Sequence, residues 1–252
     1  MRLNKAIASS GYCSRRKADE LIAGGEVTVN GVRIQVLGTR IDPLNDAVMV
    51  SGKRLELEDP GRKQHLYLAL HKPRGYVSTA RDPQGRKIIL DLLPQSINQH
   101  RVVPAGRLDY DSEGLLLLTN DGSLIHTLTH PSHQVAKHYR VLVQGGVTRD
   151  HLEAMRRGMT LAEGERLAPV RVSIEQRPAG SAWLRMRLIQ GVNRQIRRMC
   201  RDLGLGVDRL IRTREGPVDL TGLAAGTYRH LHPAEVRELT RRAGTATSRT
   251  AW

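Results

Sequence analysis

Phenylalanine is absent from this 252-residue chain, which has only six tyrosines and two tryptophans. Any flat surface offered to a planar ligand must therefore come mainly from Tyr, Trp, His or the plane of an arginine. Cysteine is nearly as scarce. Cys13 and Cys200 are too few for a disulfide framework and form no metal-binding pair. No apolar run approaches the roughly 20 residues that span a bilayer. The opening MRLNKAIASSGYCSRRK has no apolar core followed by small residues, so no secretory signal is read there and the cytoplasm is the expected compartment.

Acidic residues are also in short supply, 25 against 40 basic ones, of which 33 are Arg. A preference for arginine over lysine explains the choice of cation but not the net charge of +15. Such an excess points to a polyanionic partner. A membrane surface would call for a basic amphipathic helix with bulky apolar residues opposite, and none is present. Nucleic acid is the favoured partner.

The first 55 residues read as one small unit. Leu3, Ala6 and Ile7 share a helical face; Ser14 caps a second helix carrying Ala18, Leu21 and Ile22; Gly24 and Gly25 end it. Val27 and Val29 then alternate into an Asn30-Gly31 turn, a strong hairpin signal, and DAVMVSGKRL repeats the pattern. Arg15, Arg16 and Lys17 occupy the first turn of the second helix, where the macrodipole disfavours cations and a bound phosphate would relieve them. Residues 56–65 read as a linker and 66–240 as a larger domain, with 241–252 expected to be disordered.

In the larger domain, Leu66, Leu68 and Leu70 alternate into a half-buried strand ending at KPRG. Leu115 to Leu118 form a strand buried on both faces. Tyr139, Val141 and Val143 alternate, as do Leu184, Met186 and Leu188. Thr148 opens a helix through Leu152 and Met155. Asn193 is read as the cap of another, whose apolar stripe is Ile196, Met199, Cys200 and Leu203. The fold class is α+β, a two-helix unit with a small sheet followed by a larger domain on a mixed or antiparallel sheet. His126, His130 and His133 are read as surface or loop residues rather than a metal site, since Pro131 interrupts them.

Three constellations bear on chemistry. In GRLDYDSEGLLLLTNDG, Asp109 lies between Gly106 and Gly114; spacing alone would make it an ordinary solvated turn. In KHYRVLV, Tyr139 shares a strand face with two valines and alone would be a core tyrosine. In QGVNRQIRRMCRDLG, Arg197 adjoins the apolar stripe, where an arginine either snorkels to water or grips a carboxylate in a bidentate fork.

These segments, with KPRGYVSTARDP, occur in the order and spacing of the pseudouridine synthases that modify ribosomal RNA. The resemblance is to the branch typified by the small-subunit synthase, and in details such as RLNK, CSRRKAD and VNRQIRRMC to the F-type large-subunit synthase. The first 50 or so residues resemble the S4 RNA-binding domain. The resemblance implies that Asp109 is the catalytic aspartate, Tyr139 the active-site tyrosine of the KxY motif, and Arg197 the cation paired with the aspartate. It implies RNA contacts at Arg2, Lys5, Arg15, Arg16 and Lys17; Arg107, Lys137, Arg194 and Arg198 are added near the site. Ribosomal RNA is the implied partner, 23S ahead of 16S or a tRNA. No cofactor, no metal and no membrane is implied, and a monomer is expected. The segment HPSHQVAKHY departs from the F-type pattern.

Two rival functions are weighed against this. A non-catalytic S4-type ribosome-assembly factor would leave the carboxylate loop unexplained. A glycoside or nucleoside hydrolase would need a second placed carboxylate, for which only Asp111 or Glu113 is available.

Overall fold

A computed structural model of the chain describes residues 1–57 and 64–244, with the side chains of 242–244 excepted. It divides into two units, Met1–Gln64 and His65–Trp252.

In the first unit, α1 (Leu3–Ser9) and α2 (Arg15–Ala23) pack their apolar faces together, and Asn4 donates to both carboxylate oxygens of Asp19 across the pair. The Ser14 side chain accepts from the Lys17 amide, the expected cap. Four short strands follow: β1 (Val27–Val29), β2 (Val32–Ile34), β3 (Val48–Val50) and β4 (Lys53–Arg54), in the order β2-β1-β3-β4. Both hairpins turn through a left-handed residue followed by glycine, Asn30-Gly31 and Ser51-Gly52. Val27, Val48 and Val50 are fully buried under the helices.

The second unit is built on a nine-stranded mixed sheet. Its elements are β5 (Tyr67–Lys72), α3 (Gln95–Asn98), β6 (Val103–Pro104), β7 (Glu113–Thr119), α4 (Gly122–Thr129), β8 (Lys137–Gln144) and α5 (Arg149–Arg157). After them come β9 (Arg171–Gln176), β10 (Ser181–Leu188), α6 (Gln195–Asp202), β11 (Gly206–Glu215), β12 (Val218–Asp219), β13 (Tyr228–His230) and α7 (Pro233–Gly244). The main path runs β13-β5-β7-β11-β8-β10-β9, with β6 on β7 and β12 on β11. Among the described strands only β7 and β11 pair in parallel, and they meet near the middle of the sheet.

That junction demands a glycine. A Cβ on Gly114 would stand 2.3 Å from the Arg212 carbonyl oxygen and 2.7 Å from its nitrogen, and Gly114 has φ +110°. The start of β7, just past the GRLD loop, is thereby held against β11.

Several expectations are corrected. Strand β5 is not half-buried: Leu68, Ala69 and Leu70 are all fully buried, because it lies inside the sheet with cores on both faces. Asn193 does not cap α6; the residue at that position is Arg194, in a left-handed conformation with no side-chain cap. Helix α7 continues through Gly244, into the stretch expected to be disordered. Residues 58–63 of the expected linker and 245–252 of the expected tail lie outside the described residues. Among the described residues no helix is long and apolar enough to cross a membrane.

Candidate active site

Asp109 sits in the loop between β6 and β7, and three neighbouring groups hold that loop. Lys72, at the end of β5, is fully buried and donates to the carbonyls of Ser112 (2.7 Å), Asp109 (3.0 Å) and Pro73 (3.0 Å). Burial pulls the Lys72 pKa down to about 8, against the opposing pull of Asp111, Asp109 and Glu113. The buried Ser78 hydroxyl donates to the Leu108 carbonyl at 2.7 Å and accepts from the Leu108 amide at 3.1 Å. From the other side, Arg197 donates to the Asp111 carbonyl at 3.1 Å and the Ser112 hydroxyl at 3.3 Å.

Lys72 was not singled out from the sequence, although its signal was present. It continues the inward-facing series Leu66, Leu68, Leu70, so an alternating strand must carry its ammonium into the interior.

The ion pairs differ from the expected fork. Arg194 reaches the Asp109 carboxylate, Nη1 to Oδ2 at 3.2 Å, and Asp111 at 3.6 Å. Arg197 pairs with Asp111 at 3.1 Å. The two arginines are three apart at the start of α6 and so face the same loop. Arg197 is the deeper, with a side chain 13% exposed, and engages the loop backbone; Arg194, 44% exposed, stands at the mouth beside Asp109. The left-handed backbone of Arg194 (φ +49°, ψ +31°) aims it there. A non-glycine residue in that region carries strain of order 1–3 kcal/mol, a cost commonly found at functional sites.

Tyr139 projects from β8 and packs against the cores on both sides of the site. Its hydroxyl lies close to the guanidinium of Arg212, which is 1% exposed and donates through Nε to the Leu115 carbonyl at 2.7 Å. Burial raises the Tyr139 pKa, the Arg212 guanidinium opposing it, so the side chain is a neutral phenol. Behind it, fully buried Glu215 lies 3.4 Å from both Arg212 and Lys137.

Asp109, Tyr139, Arg107, Arg194, Arg197 and Leu210 are among the residues around a cavity of about 100 Å³. The structure therefore brings together all three residues expected to be catalytic. Of the expected RNA contacts, Arg2, Lys5, Arg15, Arg16 and Lys17 are exposed on the first unit, and Lys17 is bridged to Glu20 at 3.0 Å. Arg107 is exposed at the cavity. Two others are committed elsewhere. Lys137 turns inward to Glu215, and Arg198 is held by Glu163 (3.1 Å) and Glu165 (2.7 Å). A cation already matched to a buried or adjacent carboxylate has little left to offer a phosphate.

The three histidines form an aromatic cluster, with ring centroids 4.8, 5.5 and 6.0 Å apart. Among the described residues no group of three or more His, Cys, Asp or Glu is arranged to hold a metal ion. Cys200 is fully buried and its pKa is pushed up to about 12 by burial, so it is no nucleophile.

Comparison with known proteins bears on this arrangement. Residues 66–202, more than half the chain, match the family model described as RNA pseudouridylate synthase, and residues 1–48 match the S4 domain. A ribosomal large subunit pseudouridine synthase B of Bacillus subtilis is 40% identical over 241 residues, covering 94% of this chain and 95% of that protein. The dual-specificity RNA pseudouridine synthase RluF of Escherichia coli is 39% identical over 240 residues, covering 95% and 78%. A crystal structure of a pseudouridylate synthase superposes with a TM-score of 0.67 at 27% identity, covering 95% of this chain and 99% of that one. The chain belongs to the RNA pseudouridylate synthases, in the branch with an N-terminal S4 domain.

Proposed function

We propose that the protein converts a uridine of ribosomal RNA, in the 23S molecule, to pseudouridine, with Asp109 as the catalytic carboxylate. The observation that carries this is the position of Asp109. Its side chain is 29% exposed and paired with Arg194, and it borders the same cavity as Tyr139, in a loop that Lys72 and Arg197 tie down.

The reaction breaks the N1–C1′ bond, turns the uracil and rejoins it through C5, which gives up its proton while N1 gains one. It is an isomerisation with no net redox change, so the chain's own side chains suffice. Asp109 acts on the sugar, by attack on C1′ or by removal of the 2′ proton. A loop held by Lys72, Ser78 and Arg197 keeps the carboxylate oriented while the base turns. Tyr139, kept as a phenol, gives the base a flat partner and a hydroxyl beside the Arg212 guanidinium. Extruding the uridine costs roughly a few kcal/mol, which phosphate contacts along the basic surface offset. The 23S assignment follows the large-subunit specificity in the name of the Bacillus relative. We take the enzyme to work as a monomer in the cytoplasm.

Asp109→Asn is expected to abolish pseudouridine formation while RNA affinity stays near the wild-type value. Undiminished product from that variant would overturn the assignment of Asp109. Pseudouridine mapping of 23S rRNA, 16S rRNA and tRNA from cells with and without the gene identifies the target. Loss of a modification from 16S rRNA or tRNA alone would overturn the 23S reading.

A further inference from the structure

The half of the sheet made by β9, β10, β8 and β11 buries one face in a core that includes Val141, Val143, Leu184 and Met186. Its other face is open, because alternate residues on the same strands are charged. The pairing register places Arg171 opposite Arg187, Arg187 opposite His138, and His138 opposite Arg214. Four strands thus contribute one basic or titratable side chain each to a single rank, about 14 Å long at ~4.8 Å per strand.

Like charges directly across a strand pair are destabilising, so this rank is not a product of folding preference. The neighbouring rank differs. There Glu175 takes Arg140 at 2.7 Å and Arg185 at 2.6 Å, neutralising part of the charge. Among the described residues neither Arg171 nor Arg187 has an ion pair. Asp219 lies opposite Arg214, but its carboxylate accepts from the Thr221 amide at 3.0 Å. The His138 pKa is lowered by burial and then by Arg187 and Arg214, as expected in an electropositive row.

The rank lies in a concavity of about 640 Å³, bordered by five arginines against two carboxylates, Glu175 and Asp219. Ser173, Thr213 and Thr221 add hydroxyls to the same surface. Arginines scattered on a convex face would be ordinary solvated side chains. A concave rank of them with hydroxyl donors has the makings of a phosphodiester site.

We propose that this face is a second RNA-binding surface, in which Arg171 and Arg187 hold phosphates of the substrate RNA away from the modified nucleotide. The inference rests on the enzyme acting on RNA, but not on which carboxylate is catalytic. A polyanion crossing the rank relieves the repulsion among its cations, and releasing the phosphates' counterions makes the contact salt-dependent.

The test uses the full-length protein, an unmodified 23S rRNA transcript, and the double variant Arg171→Glu, Arg187→Glu beside Arg171→Gln, Arg187→Gln. Filter binding is followed across a salt series, with thermal melting to confirm folding. Both variants are expected to bind at least tenfold more weakly at low salt. The slope of log affinity against log salt should fall by between about one and two in the Gln pair, from two lost contacts. Unchanged affinity and slope in both folded variants would overturn the proposal. So would unchanged RNA binding together with lost retention on immobilised polyglutamate, which would assign the face to an acidic protein. Pseudouridine formed by the wild type on the same transcript is scored in parallel. Absence of product there defeats the functional reading and leaves the binding comparison intact.

Discussion

Glu215 shows what a single buried residue can set. It is fully buried between Lys137 and Arg212, and the Arg212 guanidinium in turn adjoins Tyr139. Removing one partner from such a cluster leaves buried charge uncompensated, which costs about 3–5 kcal/mol. Glu215→Ala is therefore expected to lose about that much stability in chemical denaturation, and its activity at permissive temperature should fall because Arg212 no longer has a fixed position. A loss under 1 kcal/mol would mean that the two cations find other partners. None of this was visible in the chain. Arg212 is one of seven arginines between 194 and 214, and only the pairing of β11 with β7 and β8 buries it.

At the scale of elements, helix α6 joins the site to the loop around Glu163. Its Arg194 and Arg197 face the Asp109 loop, while Arg198 and Arg201 grip Glu163 at 3.1 and 2.7 Å. The guanidinium of Arg201, with help from Arg198, draws the Glu163 pKa down to about 2. A depressed carboxylate pKa means that the folded state binds fewer protons than the unfolded one. The contribution is present above the ordinary glutamate value near ~4.3 and lost as pH falls through about 2. NMR titration should place the Glu163 midpoint near 2 in the wild type. In Arg198→Ala, Arg201→Ala it should move up toward the ordinary range; an unmoved midpoint would show that the loop backbone sets it.

Taken whole, the molecule carries its charge unevenly. The site holds Arg194 and Arg197 in ion pairs with Asp109 and Asp111, whereas Arg2, Lys5, Arg15 and Arg16 of the first unit are exposed. Reversing Arg15 and Arg16 to Glu is expected to weaken binding of the 23S transcript and to flatten its salt dependence by about one to two in slope. An unchanged slope would mean that these exposed cations do not meet phosphate. Family membership leads one to expect RNA on such surfaces; the distribution of matched and unmatched cations says where to look.

Much of the fold was legible because it depends on neighbours in the chain. The Ser14 cap, the Asn30-Gly31 turn, the doubly buried Leu115–Leu118 strand and the alternation through Tyr139 follow from backbone sterics and apolar period. The motif order also nominated Asp109, Tyr139 and Arg197, and folding brought all three to one cavity. Which arginine meets which carboxylate was not legible. That choice turns on a left-handed Arg194, on Lys72 drawn inward at the end of β5, and on the close approach of β7 to β11 at Gly114. Ion pairs between residues nearly 90 positions apart depend on distances of a few ångströms, and local sequence does not encode them. Burial and strand register do, and both exist only once the chain has closed on itself.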